Sequence, residues 1–277
     1  MNYRIETSHT KLSLGALFLA IVFLCGCEDV IRVDLKTTAP RLVIEGKLSN
    51  IPSQNYFIIS RTTDFYSPSR VVKVSGATII VSDDAGNVDT LVEITPGEYF
   101  FVNPNPAVTG RTYSATVTVE EKTYTASTTM QPLIPIDTLR FEYEEDEEEG
   151  YQLIVDFQDV PNRSDYARIK IDSNSVSKEG FFIYDGRYSD GNMISYEEFP
   201  DLFELGDTVR VELHSMDRTM YFYFLTLWEV WASEMSSGLF DATPANPNTN
   251  WSGGALGYFG AFNISQRTAI IQDLPQK

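Results

Sequence analysis

The chain has 277 residues, with 39 acidic against 21 basic side chains and a formal net charge of −18. Nucleic acid and anionic lipid surfaces both reward a basic face, so this balance excludes them as general partners while favouring solubility. Its two cysteines, Cys25 and Cys27, lie together near the N-terminus, so the rest of the chain has no disulfide framework; the length allows two domains whose cores need none.

Arg4 and Lys11 precede an apolar run, Leu12 to Leu24, that closes on Leu24-Cys25-Gly26-Cys27. About thirteen apolar residues fall short of the ~20 that a bilayer span needs, but they suit a cleaved secretory segment. The pattern resembles a bacterial lipoprotein signal, with Gly26 as the small residue before the cut and Cys27 as the thiol that takes palmitate-type lipid. Residues 1–26 are therefore expected to be a signal peptide and 27–40 a lipidated tether. Glu28-Asp29, beside the cysteine, resembles the acidic signal that sends Bacteroidota lipoproteins to the outer face of the outer membrane. A second apolar stretch, Met220 to Trp231, is too short to span and holds Glu229, which leaves the lipid as the expected membrane attachment.

From Arg41 to about Thr128 the sequence breaks into short β-type runs. Leu42 to Leu48, Tyr56 to Ser60, Ala77 to Ser82, Asp89 to Ile94, Tyr99 to Val102, Thr112 to Val119 and Lys122 to Thr128 are rich in Val, Ile, Thr or Tyr. In Thr112 to Val119 apolar and hydroxyl residues alternate, so one face can be buried while the other meets water. Asp83-Asp84-Ala85-Gly86-Asn87 supplies the Gly and Asn of a hairpin turn. Seven such strands predict an N-terminal β-sandwich over 41–130, immunoglobulin-like or transthyretin-like.

Pro132 and Pro135 interrupt strand pairing, and a domain boundary is expected there. A C-terminal β-sandwich over 137–277 then opens with Leu139 to Tyr143 and Tyr151 to Gln158, a hairpin whose tip is the acidic run Glu144 to Glu149. Further strands are expected at Asp165 to Ile171, Phe181 to Tyr184, Met193 to Tyr196 and Thr208 to His214, the last with Val209, Val211 and Leu213 on one face and Arg210, Glu212 and His214 on the other, solvent-facing one. Asp217 stands as the N-cap of one packed helix, Arg218 to Met235, on which Tyr221, Phe224, Leu225, Trp228 and Trp231 form an apolar stripe. Ser236 to Asn250 reads as a long loop, followed by two closing strands near Ala261 to Ile264 and Thr268 to Gln272. The expected class is mainly β, two sandwiches with one helix on the second.

Little chemistry is written in these residues. The mature chain has one histidine, His214, and no Gly-x-Ser-x-Gly elbow, so a histidine triad has no support. There is no His-Glu-x-x-His, no cysteine cluster and no P-loop, so neither zinc nor a nucleotide cofactor is expected. Asp83, Asp84, Asn87 and Asp89 offer hard oxygens to calcium, yet the same residues make an ordinary turn and their spacing misses the EF-hand. Trp251, Tyr258 and Phe259 are the binding candidates, because aromatic faces offer rigid contact area to a sugar or a partner; the competing reading is that they fill the core beneath the long loop, with the neighbouring glycines allowing close backbone approach.

The signal ending in Cys27, the segment VDLKTTAPRLVIEG at Val33 to Gly46, PGEY at Pro96 to Tyr99 and GGALGYFGA at Gly253 to Ala261 resemble a Bacteroidota lipoprotein family catalogued as domain of unknown function 4249. The likeness covers almost the whole mature chain. It implies an accessory of a TonB-dependent outer-membrane receptor, since genes of the two often lie side by side, and it carries no catalytic residues. The expectation is a non-enzymatic, lipid-anchored protein of the cell surface that binds a glycan or peptide, or the receptor itself, in nutrient uptake. A polysaccharide hydrolase using two carboxylates and a purely structural or adhesive surface protein are the alternatives.

Overall fold

A computed structural model describes residues 39–63, 71–144, 149–174, 177–197, 199, 202–235 and 246–272. Alternating and β-branched sequences give strands through most of this length. In the first half they are β1 (Leu42–Ser49), β2 (Tyr56–Arg61), β3 (Val72–Lys73), β4 (Thr78–Asp83), β5 (Val88–Thr90), β6 (Val92–Thr95), β7 (Glu98–Phe100), β8 (Thr112–Val119) and β9 (Lys122–Thr129). After the two prolines come β10 (Ile136–Glu144), β11 (Gly150–Gln158), β12 (Tyr166–Ser173), β13 (Ser177–Asp185), β14 (Met193–Tyr196) and β15 (Thr208–Met216). The helix α1 (Arg218–Met235) and the strand β16 (Leu256–Ile270) complete the chain, which is mainly β, as expected. Among the described residues no helix is long and apolar enough to cross a membrane.

One sheet of nine strands runs β13-β12-β15-β16-β1-β2-β7-β6, with β3 beside β2. Two smaller sheets, β5-β4-β8-β9 and β10-β11-β14, lie against it. Ile44, Phe57 and Ile59 of the large sheet meet Ile79, Val81 and Val117 of the four-stranded one in a first core. Ile169, Val211 and Leu213 meet Leu153, Val155 and Phe157 of the three-stranded sheet in a second. Each such side chain, once buried, contributes ~1.5–3 kcal/mol. Along β8 burial alternates as the sequence reading requires, with Tyr113, Ala115, Val117 and Val119 inward.

Two predicted runs come out differently. Asp89 to Ile94 divides at Leu91: β5 pairs with β4 in one sheet, β6 pairs with β7 in the other, and buried Leu91 donates its N–H to the Ile79 carbonyl at 3.0 Å where the chain changes sheet. The two expected closing strands are one, β16, fifteen residues long. Polar Gln266, Arg267 and Thr268 read as a break, but nothing in them bars a strand; they pair with β15 where β16 runs out into solvent, and all three are exposed. The same β16 lies parallel to β1 over Leu256 to Phe262 and antiparallel to β15 over Asn263 to Ile270, so it pairs with strands from both sides of the Pro132–Pro135 interruption.

The helix has the predicted bounds and cap. Asp217 Oδ1 accepts the Met220 N–H at 2.9 Å, while Oδ2 accepts the Thr128 hydroxyl at 2.8 Å and the Thr129 N–H at 3.2 Å. The Thr128 oxygen in turn accepts the Ala261 N–H at 3.1 Å, so one carboxylate ties α1 to β9 and, through it, to β16. Asp217→Ala is expected to lower stability by ~2 kcal/mol in urea unfolding, the upper end of the range for a lost cap, because two further donors lose their acceptor. Asp217→Asn, which keeps an acceptor oxygen, should lose less than half of that. The apolar stripe is only half used. Met220, Tyr221 and Phe224 are buried against Tyr166, Met216 and Phe262, but Trp228 and Trp231 are 43% and 46% exposed. The expectation of one continuous buried stripe fails there: the cap holds the first turns of the helix on the sheet, and the burial is confined to them.

Candidate functional site

The three aromatic candidates do not form one platform, because neighbours along a strand face opposite ways. Trp251 and Phe259 belong to the first core, where each packs against Phe57, at ring-centroid distances of 6.4 and 5.5 Å. The Trp251 indole N–H donates to the Ile44 carbonyl at 2.9 Å. Tyr258 lies on the other face of β16, half-buried against Tyr223 and Phe224, and burial pushes its hydroxyl well above the ordinary tyrosine range. Trp251 and Phe259 therefore offer no aromatic face to solvent. The glycines around them do permit close approach: a Cβ on Gly257 would stand 2.2 Å from the Ile44 carbonyl oxygen. Cys27 and the hairpin tip 145–148 lie outside the described residues.

On the face of the large sheet next to α1, Glu212 and His214 lie on β15. Glu212 Oε1 accepts from Arg210 at 2.7 Å, Gln266 at 3.0 Å and Gln54 at 3.4 Å, and Oε2 meets His214 Nε2 at 2.8 Å. Lys47 joins through its ammonium, which donates to Gln54 Oε1 at 2.6 Å. The face assigned to His214 by strand alternation is correct, but its solvent exposure is not: the ring is 3% exposed, with Phe262 at 5.9 Å. Burial, and secondarily the charges of Lys47 and Arg168, outweigh the pull of Glu212 and bring His214 down to about 4. The hydrogen bond with His214, then the nearby cations, take Glu212 down to about 2 against the opposing effect of burial. Burial first, then Lys170, takes Lys47 down to about 8. At neutral pH the histidine is thus an uncharged donor to a saturated carboxylate, a fastening rather than an acid–base pair in action.

That fastening has a pH signature. The unfolded chain takes up a proton at His214 near 6.5 that the folded chain refuses until about 4, so stability is full above the first value and falls as pH drops through the window. Glu212 continues the loss from 4.5 towards 2. The histidine alone corresponds to at most ~3 kcal/mol. Urea midpoints measured at pH 7, 6, 5 and 4 should decline steadily, and His214→Gln should flatten most of that slope.

A cavity of about 240 Å³ opens at one end of the first sandwich. Its floor is Leu48, Val81 and Tyr113 from β1, β4 and β8, and its wall includes Phe101 just after β7. The segment 105–108 closes one side and is held at three points: Asn55 Nδ2 donates to the Asn105 carbonyl at 3.0 Å, the Ala107 N–H to the Ser49 carbonyl at 2.9 Å, and the Val108 N–H to the Tyr113 hydroxyl at 2.8 Å. The rim carries three of the calcium candidates, Asp83, Asn87 and Asp89, together with Arg111.

Asp83 is fully occupied. Its Oδ1 accepts the N–H groups of Ala85 and Asn87 at 3.1 and 2.9 Å, and its Oδ2 accepts Asn87 Nδ2 at 2.8 Å and Arg111 at 2.9 Å. Burial raises its proton affinity, but these hydrogen bonds and Arg111 outweigh that and hold the carboxyl below the usual range. Asp84 accepts the Thr112 N–H at 3.0 Å and stands 3.8 Å from Arg111. These are the bonds of a hairpin turn, and among the described residues no group of three His, Cys, Asp or Glu side chains is placed to hold a metal. Asp89 differs. It pairs with Val81 across β4 and β5, so its side chain lies on the Val81 face, at the solvent-exposed rim of the cavity, and among the described residues no hydrogen bond or ion pair engages it. Reading these four residues as possible metal ligands missed this, although the Asp83–Asn87 turn fixes the register that puts Asp89 on that face. Phe101, Asn105 and Arg111 carried no sequence signal of their own.

A family model described as Domain of unknown function (DUF4249) matches residues 28–268, and the chain belongs to that family. No curated protein matches it.

Proposed function

We propose that this DUF4249 member is a lipid-anchored, non-catalytic accessory of the outer cell surface that captures a small ligand for a TonB-dependent outer-membrane receptor. The observation that carries the reading is the cavity at the end of the first sandwich, with one side tied down by three hydrogen bonds, an apolar floor and one unengaged carboxylate. Support for the location comes from the lipoprotein-type run that ends at Cys27 and from Glu28-Asp29 after it. The lipid confines the protein to the plane of its receptor, so handover occurs at raised effective concentration without new contacts. The hydrolase alternative draws nothing from this cavity: it needs two working carboxylates, and both oxygens of Asp83 are already taken by four donors.

The test is recovery of the lipidated protein from native membranes in mild detergent, followed by identification of what comes with it. A TonB-dependent receptor in the eluate is the expected result. Its absence, with the protein itself intact, removes the accessory role.

A further inference from the structure

We propose that the ligand of this cavity is a neutral sugar, taken as a single pyranose ring with its hydroxyls, and that Asp89 is the residue that selects it. The proposal rests on the capture reading above and names its substrate class.

Size comes first. Pockets for drug-sized molecules run to ~300–1,000 Å³, and this one, open to solvent on one side, is about 240 Å³, enough to seat one compact ring. Its chemistry is divided as a sugar requires. A pyranose has an apolar C–H face and a rim of hydroxyls, each able to donate and accept. The floor and wall, Leu48, Val81 and Phe101, supply an apolar and aromatic surface for the first. The rim supplies acceptors in the Asp89 carboxylate and in Asn87 Oδ1, whose Nδ2 is turned to Asp83, and donors in the Arg111 N–H groups not spent on Asp83. Hydroxyls bound to an ionised carboxylate form the stronger, charge-assisted class of hydrogen bond.

Charge decides between ligand classes. Arg111 is the one cation among the residues lining the cavity, and it faces Asp83 at 2.9 Å and Asp84 at 3.8 Å, so its charge is already met. Asp89 leaves the cavity net negative, in a chain that is itself at −18. An anionic ligand is therefore repelled. An ammonium compound would satisfy Asp89 but would leave the Arg111 donors facing its positive charge, whereas a neutral polyol uses both. An acid on an edge strand such as β5 also discourages edge-to-edge pairing; that role alone predicts no ligand, so binding measurements separate the two.

The experiment uses the full-length protein in a polyoxyethylene detergent, since glucoside and maltoside detergents would compete. Isothermal titration is run with glucose, galactose, mannose and N-acetylglucosamine, with glucuronate as the anion and glucosamine as the ammonium, alongside an array of neutral glycans. At least one neutral sugar should bind at millimolar affinity or better, with glucuronate at least tenfold weaker than its neutral counterpart. Asp89→Ala should weaken that sugar at least tenfold, and Asp89→Asn should weaken it less, both with an unchanged unfolding midpoint. No retention of any neutral glycan, binding indifferent to Asp89→Ala, or binding of glucosamine alone would each overturn the proposal. Receptor co-purification without sugar binding would refute the ligand class and leave the accessory role standing; sugar binding without a receptor would do the reverse.

Discussion

Replacing Gly257 with alanine is expected to lower stability by more than ~3 kcal/mol, and the variant should unfold at a much lower urea concentration or fail to accumulate. Gly257 sits at φ +88°, where an L side chain is strained by ~1–3 kcal/mol. The larger effect is contact: the added Cβ would lie 2.2 Å from the Ile44 carbonyl oxygen and 2.8 Å from its carbon, both backbone atoms that no rotamer change can move. Ile44 pairs with Gly257 in the parallel β1–β16 register, so relief requires parting those two strands, which meet at the middle of the nine-stranded sheet. Gly254 is the control. It has a similar φ of +79° but nothing within 4 Å of where an added Cβ would stand, so Gly254→Ala should show the backbone strain alone, ~1 kcal/mol. Equal losses at the two positions would mean that the close approach of β16 to β1 is not what fixes the glycine.

Trp251→Ala should be nearly as damaging, at ~3–5 kcal/mol. The residue is 5% exposed, and its ring fills the first core against both Phe57 and Phe259, 6.4 and 6.0 Å away. Its removal also takes the indole donor from the Ile44 carbonyl, which is buried and sits where β1 and β16 approach. Trp251→Phe separates the contributions. It keeps most of the apolar volume and loses the hydrogen bond, and should lose ~1–2 kcal/mol. Fluorescence checks the placement independently: Trp228 and Trp231 are about half exposed, so Trp251→Phe should remove the blue-shifted part of the folded spectrum and leave the red part. An unchanged emission maximum would place Trp251 in solvent and restore it as a binding aromatic.

Local features were legible in the sequence and long-range ones were not. The alternation in Thr112 to Val119, the Asp217 cap with the helix after it, and the Asp83–Asn87 turn each depend on residues within a few positions, and each is found where the pattern put it. The length and partners of β16 depend on β1 and β15, more than two hundred and about fifty residues away in sequence, and nothing in GGALGYFGA distinguishes a parallel neighbour from a loop. His214 shows the same limit at smaller scale. Alternation assigns its face, but burial is decided by Phe262 and α1 covering that face. The cavity has no signature in the sequence because segment 103–108, Asn-Pro-Asn-Pro-Ala-Val, has no period, and its position is set by bonds to Ser49, Asn55 and Tyr113.

The proposed capture and handover require an acid-rich body held at a membrane by one modified thiol. Intact mass and N-terminal analysis of the protein extracted from native membranes test this directly. A chain that begins at Cys27 and carries acyl groups, with Cys27→Ser released to the soluble fraction, is the predicted result. A mature chain that begins at another residue without lipid would contradict the location, the receptor partnership and the role built on them.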